Sequence, residues 1–212
     1  MARTVVIAGL GRFGSVLAKE LSQSGYDVLG VDRRPERVRE MAQAIGKVVQ
    51  GDATDAELWK DLPVKGADAG VVAFSSSIEA NVLATLLMRR VGVKRVIAVS
   101  RSELHSEVLK AIGVDQIVEP QVDSAIRLAH AFGTSIQDYL DVTEGFGIAK
   151  IKANGRWKGS TVQQVQKDEN VTVLVVVRGN RVVLVPSQND KIGEGDVLVL
   201  AGKDHDLHDL PV

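Results

Sequence analysis

Three closely spaced glycines after an apolar run constrain this chain more than any other feature. The run Val5-Val6-Ile7-Ala8 ends in Gly9, Gly11 and Gly14 follow, and an apolar helical pattern opens with Val16, Leu17 and Leu21. A strand, a phosphate-sized turn and a helix start in that order make the G-x-G-x-x-G arrangement of dinucleotide-binding folds. Gly9 permits the tight turn. Gly11 has no Cβ to hold a diphosphate off the backbone, and Gly14 lets the helix lie close on the strand. The free N–H groups at the start of that helix then face the phosphates, and the helix dipole favours their charge.

The pattern continues as alternating strands and helices. Strands are expected at residues 4–8, 28–32, 48–50, 69–74, 95–99 and 116–118, with helices at 13–24, from Pro35 onward, after the turn 51–55, and at 78–91, 103–112 and 121–131. Gly25 is placed to end the first helix, and Pro35 to start the second. Strands that read as nearly continuous apolar runs belong to a parallel sheet covered on both faces. The fold class is therefore α/β, a Rossmann-type doubly wound sheet over residues 1–131.

Beyond that the alternation stops. Phe132-Gly133-Thr134 loosens the chain, and residues 136–140 are expected to form a short helix within a connecting segment, 132–140. From Asp141 the texture becomes strands separated by turns, with a hairpin-like turn at Asn154-Gly155 and a tight hairpin around Arg178-Gly179-Asn180. Residues 141–212 are expected to be a small α+β C-terminal lobe. It is near the lower size limit for an independent core, so self-association is expected.

Composition narrows the function. The 212 residues carry a net charge of -1 and no cysteine. The charge gives no reason to expect a nucleic-acid partner. The missing cysteines exclude disulfides, thiolate metal sites and Cys nucleophiles. The start Met1-Ala2-Arg3-Thr4 runs into the first strand without an apolar leader, so no signal peptide is expected. The longest apolar runs are far too short to span a bilayer.

A Rossmann domain raises the prospect of hydride transfer, which needs a general acid or base near the moving proton. Candidates are few. Neither Tyr26 nor Tyr139 has a lysine four residues on. His105 and His130 are expected on the surface or partly buried in helices, and His205 with His208 in a solvated terminal helix. The chain has the means to hold a nucleotide and shows no apparatus for reacting with it.

The binding residues can be read more closely. Arg12 puts a guanidinium inside the glycine turn, where it can fork onto phosphate oxygens and favour nucleotides with more phosphate charge, or else point to solvent. Asp32 ends the second strand about 20 residues past the glycines, where an acid accepts from ribose hydroxyls. Arg33 is placed to stack on adenine, or else opens a solvated helix with Arg34. Asp52 follows the third strand, where it either meets the adenine amino group or caps its own turn. Ser75 and Ser76, beside Ser77, allow a ribose or phosphate to approach and also make an ordinary N-cap. Arg101 follows the fifth strand on the same edge, within reach of a terminal phosphate.

Gly-Leu-Gly-Arg-Phe-Gly at 9–14, Asp32, Gly51-Asp52-Ala53-Thr54, Asn81 and Lys-Ala-Ile-Gly-Val-Asp at 110–115 together resemble the RCK (KTN) domain. Gly159, Arg178, Pro186 and the run 195–202 resemble that family's C-terminal lobe. The likeness is to the cytosolic regulatory subunits of Ktr/Trk-type bacterial potassium transport systems. It implies a homo-oligomeric ring, commonly an octamer, docked on a membrane potassium-translocating subunit at the inner face of the membrane. ATP and ADP, or NAD(H), would set the shape of the ring. Gly9, Gly11, Arg12, Phe13 and Gly14 would hold phosphates, Asp32 the ribose, Asp52 and Ala53 the adenine, and Arg101 would approach the phosphates. Arg12 would reach the nucleotide of a neighbouring subunit. Family members often place a glutamate after a proline at an interface cation site. Here the order is Glu119-Pro120-Gln121, so only Glu119 supplies a carboxylate for a divalent cation. The resemblance also implies a cyclic di-AMP site in some C-lobes, for which the hairpin at 173–185 is suited. The expected function is a non-catalytic, nucleotide-controlled gating subunit. The alternatives are an NAD-dependent oxidoreductase and a stand-alone nucleotide or redox sensor.

Overall fold

The computed structural model describes residues 3–131, 136–153 and 155–210. Two of the expectations above, the loosening at Phe132-Gly133-Thr134 and the turn residue Asn154, lie outside the described residues. The chain divides into two compact units, Met1–Gln121 and Val122–Val212.

The first unit is built on six parallel strands: β1 (Thr4–Ala8), β2 (Asp27–Asp32), β3 (Lys47–Gln50), β4 (Ala69–Val72), β5 (Val96–Val99) and β6 (Gln116–Val118). Their order is β3-β2-β1-β4-β5-β6. Helices α1 (Arg12–Gln23), α2 (Pro35–Ala42), α3 (Ala56–Asp61), α4 (Ile78–Arg90) and α5 (Glu103–Ala111) connect them; α6 (Pro120–Ala131) follows β6 and belongs to the second unit from Val122 onward. This is the expected Rossmann-type sheet.

The central strands β1 and β4 are buried on both faces because each alternates its apolar side chains between two cores. Val6 and Ala8 of β1 and Val72 of β4 join Trp59, Met88 and Leu109 from α3, α4 and α5. Val5, Ile7 and Val71 join Ala18 and Met41 from α1 and α2. Each large side chain buried this way contributes about 1.5–3 kcal/mol. Strand order reverses between β1 and β4, which opens a crevice at the carboxyl ends of the strands. An open groove of about 590 Å³ remains on the α1 side, lined by Val5, Leu17, Tyr26, Val71, Ile97 and Val118 among others. Along α6, Val122, Ile126 and Leu128 are exposed.

The second unit carries an antiparallel sheet of β7 (Ile136–Thr143), β8 (Phe146–Lys152), β9 (Thr172–Arg178), β10 (Arg181–Leu184) and β11 (Val197–Lys203), ordered β10-β9-β11-β8-β7. A 3-10 turn (Gly155–Trp157) and helices α7 (Val162–Asp168) and α8 (Asp204–His208) complete it. Ile151, Leu198, Leu200, Val162 and Leu207 form its core. The expected hairpin is present, with Arg178 opposite Arg181.

Residues 136–140 are not a helix. They are the first part of edge strand β7, so this stretch of the expected connector belongs to the second sheet. The cause is a register shift between Ile136 and Asp138. It sets the two buried side chains, Ile136 and Tyr139, three residues apart, a spacing that imitates a helix. His105 is also not at the surface: it is 0% exposed. Nor is α8 a purely solvated helix, because His208 stacks on Tyr139 with ring centroids 5.8 Å apart.

Candidate nucleotide-binding site

The site begins where β1 ends. Gly9 turns the chain with φ +94°, and its N–H donates to the Val31 carbonyl at 2.7 Å. A Cβ at Gly9 would press on the Phe74 ring at 2.9 Å, and one at Gly14 would run into the Gly9 carbonyl oxygen. The two positions are therefore restricted to glycine by backbone geometry and by close packing. Gly11 is the N-cap of α1, with no side-chain cap and no acid in the first turn. The N–H groups there are free of side-chain acceptors and suit an anion. Arg12 opens α1 and is exposed, while the half-buried Phe13 ring packs against the core.

Asp32, at the end of β2, is 6% exposed. Its Oδ2 accepts the Leu10 N–H at 2.7 Å and Arg37 Nη1 at 3.3 Å, and its Oδ1 accepts the Arg34 N–H at 2.9 Å. A carboxylate has about four acceptor positions, so this one both ties the glycine loop to β2 and keeps some capacity for a hydroxyl. Arg37 is a member of the site that the sequence reading missed. Its signal was its place in the first turn of the helix that follows Asp32, where a side chain can reach back.

The loop after β3 extends the β2 side, and the opposite wall comes from β4 and β5. Asp52 is exposed and accepts from the Thr54 N–H at 2.9 Å and Oγ1 at 2.8 Å. These bonds hold its carboxyl below the usual range, with the Arg33 charge adding to them. Of its two readings, the structure displays the one that caps its own turn. Ala53 is buried, and its carbonyl accepts Trp59 Nε1 at 2.8 Å. Ser77, not Ser75 or Ser76, caps α4 by accepting the Ala80 N–H at 3.2 Å. Arg101 is exposed and donates to the Ser76 carbonyl at 3.1 Å, linking the β4 and β5 loops. Beneath them, Asn81 Nδ2 donates to the carbonyls of Phe74 at 2.5 Å and Val99 at 3.2 Å.

Glu119 lies apart from these groups and accepts from the Ser106 hydroxyl at 3.0 Å. Among the described residues, no three His, Cys, Asp or Glu side chains gather as metal ligands would. Asn81 Oδ1, the Thr85 hydroxyl and both His105 ring nitrogens are buried with no protein partner. Burial, and then the Arg101 charge, push the His105 pKa down. Tyr139 lies in the second unit, and its hydroxyl donates to Asp204 at 2.5 Å. Burial and that bond push its pKa up. An uncapped helix start, a buried acid and several arginines at a sheet switch point make this a Rossmann-type protein with a candidate nucleotide site.

Comparison with known proteins places it further. Residues 5–120 match the TrkA-N domain and residues 146–210 the TrkA-C domain. The Ktr system potassium uptake protein C of Bacillus subtilis is 31% identical over 210 residues, 98% of this chain and 95% of that protein. The chain belongs to the TrkA-N/TrkA-C family, that of the Ktr and Trk potassium uptake proteins. A structure of the GsuK channel bound to NAD shares the fold, with TM-score 0.67 at 22% identity over 98% of this chain and 38% of that one. The Kef C-terminal domain of Shewanella denitrificans in its AMP-bound form aligns with TM-score 0.54 at 26% identity, over 63% of this chain and 84% of that one.

Proposed function

We propose that this protein is a nucleotide-controlled regulatory subunit of a potassium uptake system. It acts without catalysis, from the cytoplasmic side, as a homo-oligomer on a membrane-embedded translocating subunit. The observation that carries the reading is the glycine loop, held open by Asp32 and flanked by Arg12, in a chain that matches potassium uptake proteins over nearly its whole length. No helix among the described residues is long and apolar enough to cross a membrane. In support of self-association, Leu83 and Leu86 of α4 and Leu104 of α5 are exposed. Apolar side chains on a helix face mark interaction surfaces. The octameric ring is the assembly the family resemblance implies.

Within this reading ATP and ADP are the principal ligands, because Arg12 adds fixed charge where extra phosphates sit. One such contact is enough for a regulatory coupling of about 1–3 kcal/mol. Titration of the purified protein with ATP, ADP and NADH tests it, with light scattering to follow particle size. Unequal affinities with a nucleotide-dependent change of size are expected, and Arg12→Ala should lose ATP preference more than NADH affinity. Equal affinities with no size change would sink the reading. Turnover of an alcohol or carbonyl substrate with NADH would restore the oxidoreductase alternative. Co-purification with a membrane transporter separates a subunit from a free-standing sensor.

A further inference from the structure

Arg37 stands between the two halves of the site. Its guanidinium is tethered to Asp32 by one bond at 3.3 Å. The same group lies over Gly11: Nη1, Cζ and Nη2 come within 3.6, 4.0 and 4.0 Å of where a Cβ would be. Gly11 is the glycine whose missing side chain lets a diphosphate meet the backbone. The side chain is 36% exposed, against 4% for that of Asp32. Its open edge faces outward while its inner edge is fixed.

Charge gives this placement a consequence. Asp32 bonds to the Leu10 N–H inside the phosphate-binding loop, so its carboxylate sits beside the path of an anionic ligand. An unbalanced carboxylate there repels phosphate. A guanidinium on the same carboxylate cancels that repulsion, and most of its five N–H donors stay free for phosphate oxygens. Lysine presents a point charge and lacks the fork needed to hold both groups in fixed geometry.

We propose that Arg37 is a phosphate-binding residue of the nucleotide site, which bridges the ribose-side carboxylate Asp32 and the diphosphate over Gly11. This rests on the nucleotide-binding reading given above. It assigns the ligand class as a nucleoside carrying at least a diphosphate, in preference to the nucleoside alone.

The test is calorimetric titration of the full chain and of Arg37→Gln and Arg37→Lys with ADP, AMP and adenosine. Arg37→Gln should weaken ADP by about tenfold or more, the size of a lost charge-assisted hydrogen bond. It should leave adenosine nearly unchanged, and Arg37→Lys should fall between. Equal weakening of ADP and adenosine overturns the proposal, because Arg37 would then act only by positioning Asp32. Unchanged ADP affinity in Arg37→Gln overturns it as well, while the nucleotide reading stands. If the parent protein binds none of the three, the nucleotide reading fails and the role of Arg37 with it.

Discussion

The carboxylate of Asp32 accepts the backbone N–H of Leu10 at 2.7 Å, across 22 positions of sequence. One buried acid thereby fixes the shape of the glycine loop. Asn at this position offers one acceptor where Leu10 and Arg34 each need their own. Asp32→Asn should cost about 1.5–3 kcal/mol, the range for hydrogen bonds to a charged group. Urea unfolding measures it. Parental stability would show that the loop keeps its form without the acid.

Two glycines of the loop should respond in opposite ways. At Gly14 a Cβ meets the Gly9 carbonyl, which is backbone and cannot swing aside. Gly14→Ala should lose about 3 kcal/mol or more, at the upper end for overpacking. At Gly11 the nearest atoms belong to the flexible end of Arg37, and φ is -70°. Gly11→Ala should stay within about 0.5 kcal/mol of the parent in stability. Its loss should appear in ADP affinity. Thermal unfolding and nucleotide titration of both variants check the contrast.

His105 sets a pH dependence. Burial, and then the Arg101 charge, lower its pKa in the folded protein from the usual histidine value of 6.5. Between the two pKa values the unfolded chain binds a proton that the folded chain does not, so stability rises with pH through that window. It falls as pH drops below 6.5. The lowered carboxyls of Asp52 and Asp196 add their own loss of stability only as pH falls toward 3.8 and beneath it, whereas the His105 effect begins at 6.5. Unfolding curves at pH 5 and pH 8 should show a smaller pH effect in His105→Leu than in the parent. An identical effect would assign the dependence to other groups.

The α4 face offers a test of assembly. Leu83 and Leu86 are 42% and 43% exposed. Replacing both by Glu should lower the oligomeric mass seen by light scattering and leave the far-ultraviolet circular dichroism of the protomer unchanged. An unaltered mass would move the contact elsewhere on the molecule.

Much of the first unit was readable from its residues. Val5 to Ala8 are apolar without interruption because the strand is buried on both faces, and Pro35 stands at the start of α2. β7 was not readable. Its bulge gives Ile136 and Tyr139 a helical spacing, and only pairing with β8 shows them to be strand residues. Asp52 had two readings of equal standing, and its bonds to Thr54 came into view only with the turn folded. Arg37 had only a weak local mark, its place in the first turn after Asp32, and an Arg after a helix-starting Pro-Glu reads equally well as a solvated side chain.

The division between the two kinds of knowledge follows the range of the forces. Gly9, Gly14 and the strand–helix alternation answer to steric and apolar demands that act within a few residues, so residue type alone specifies them. Asp32 holding Leu10, Arg37 standing over Gly11 and Asn81 joining the ends of β4 and β5 depend on which segments the folded sheet brings side by side. Hydrogen bonds and charges act over a few ångströms in space, whatever their separation along the chain. Tertiary structure therefore decided which arginine stands over Gly11.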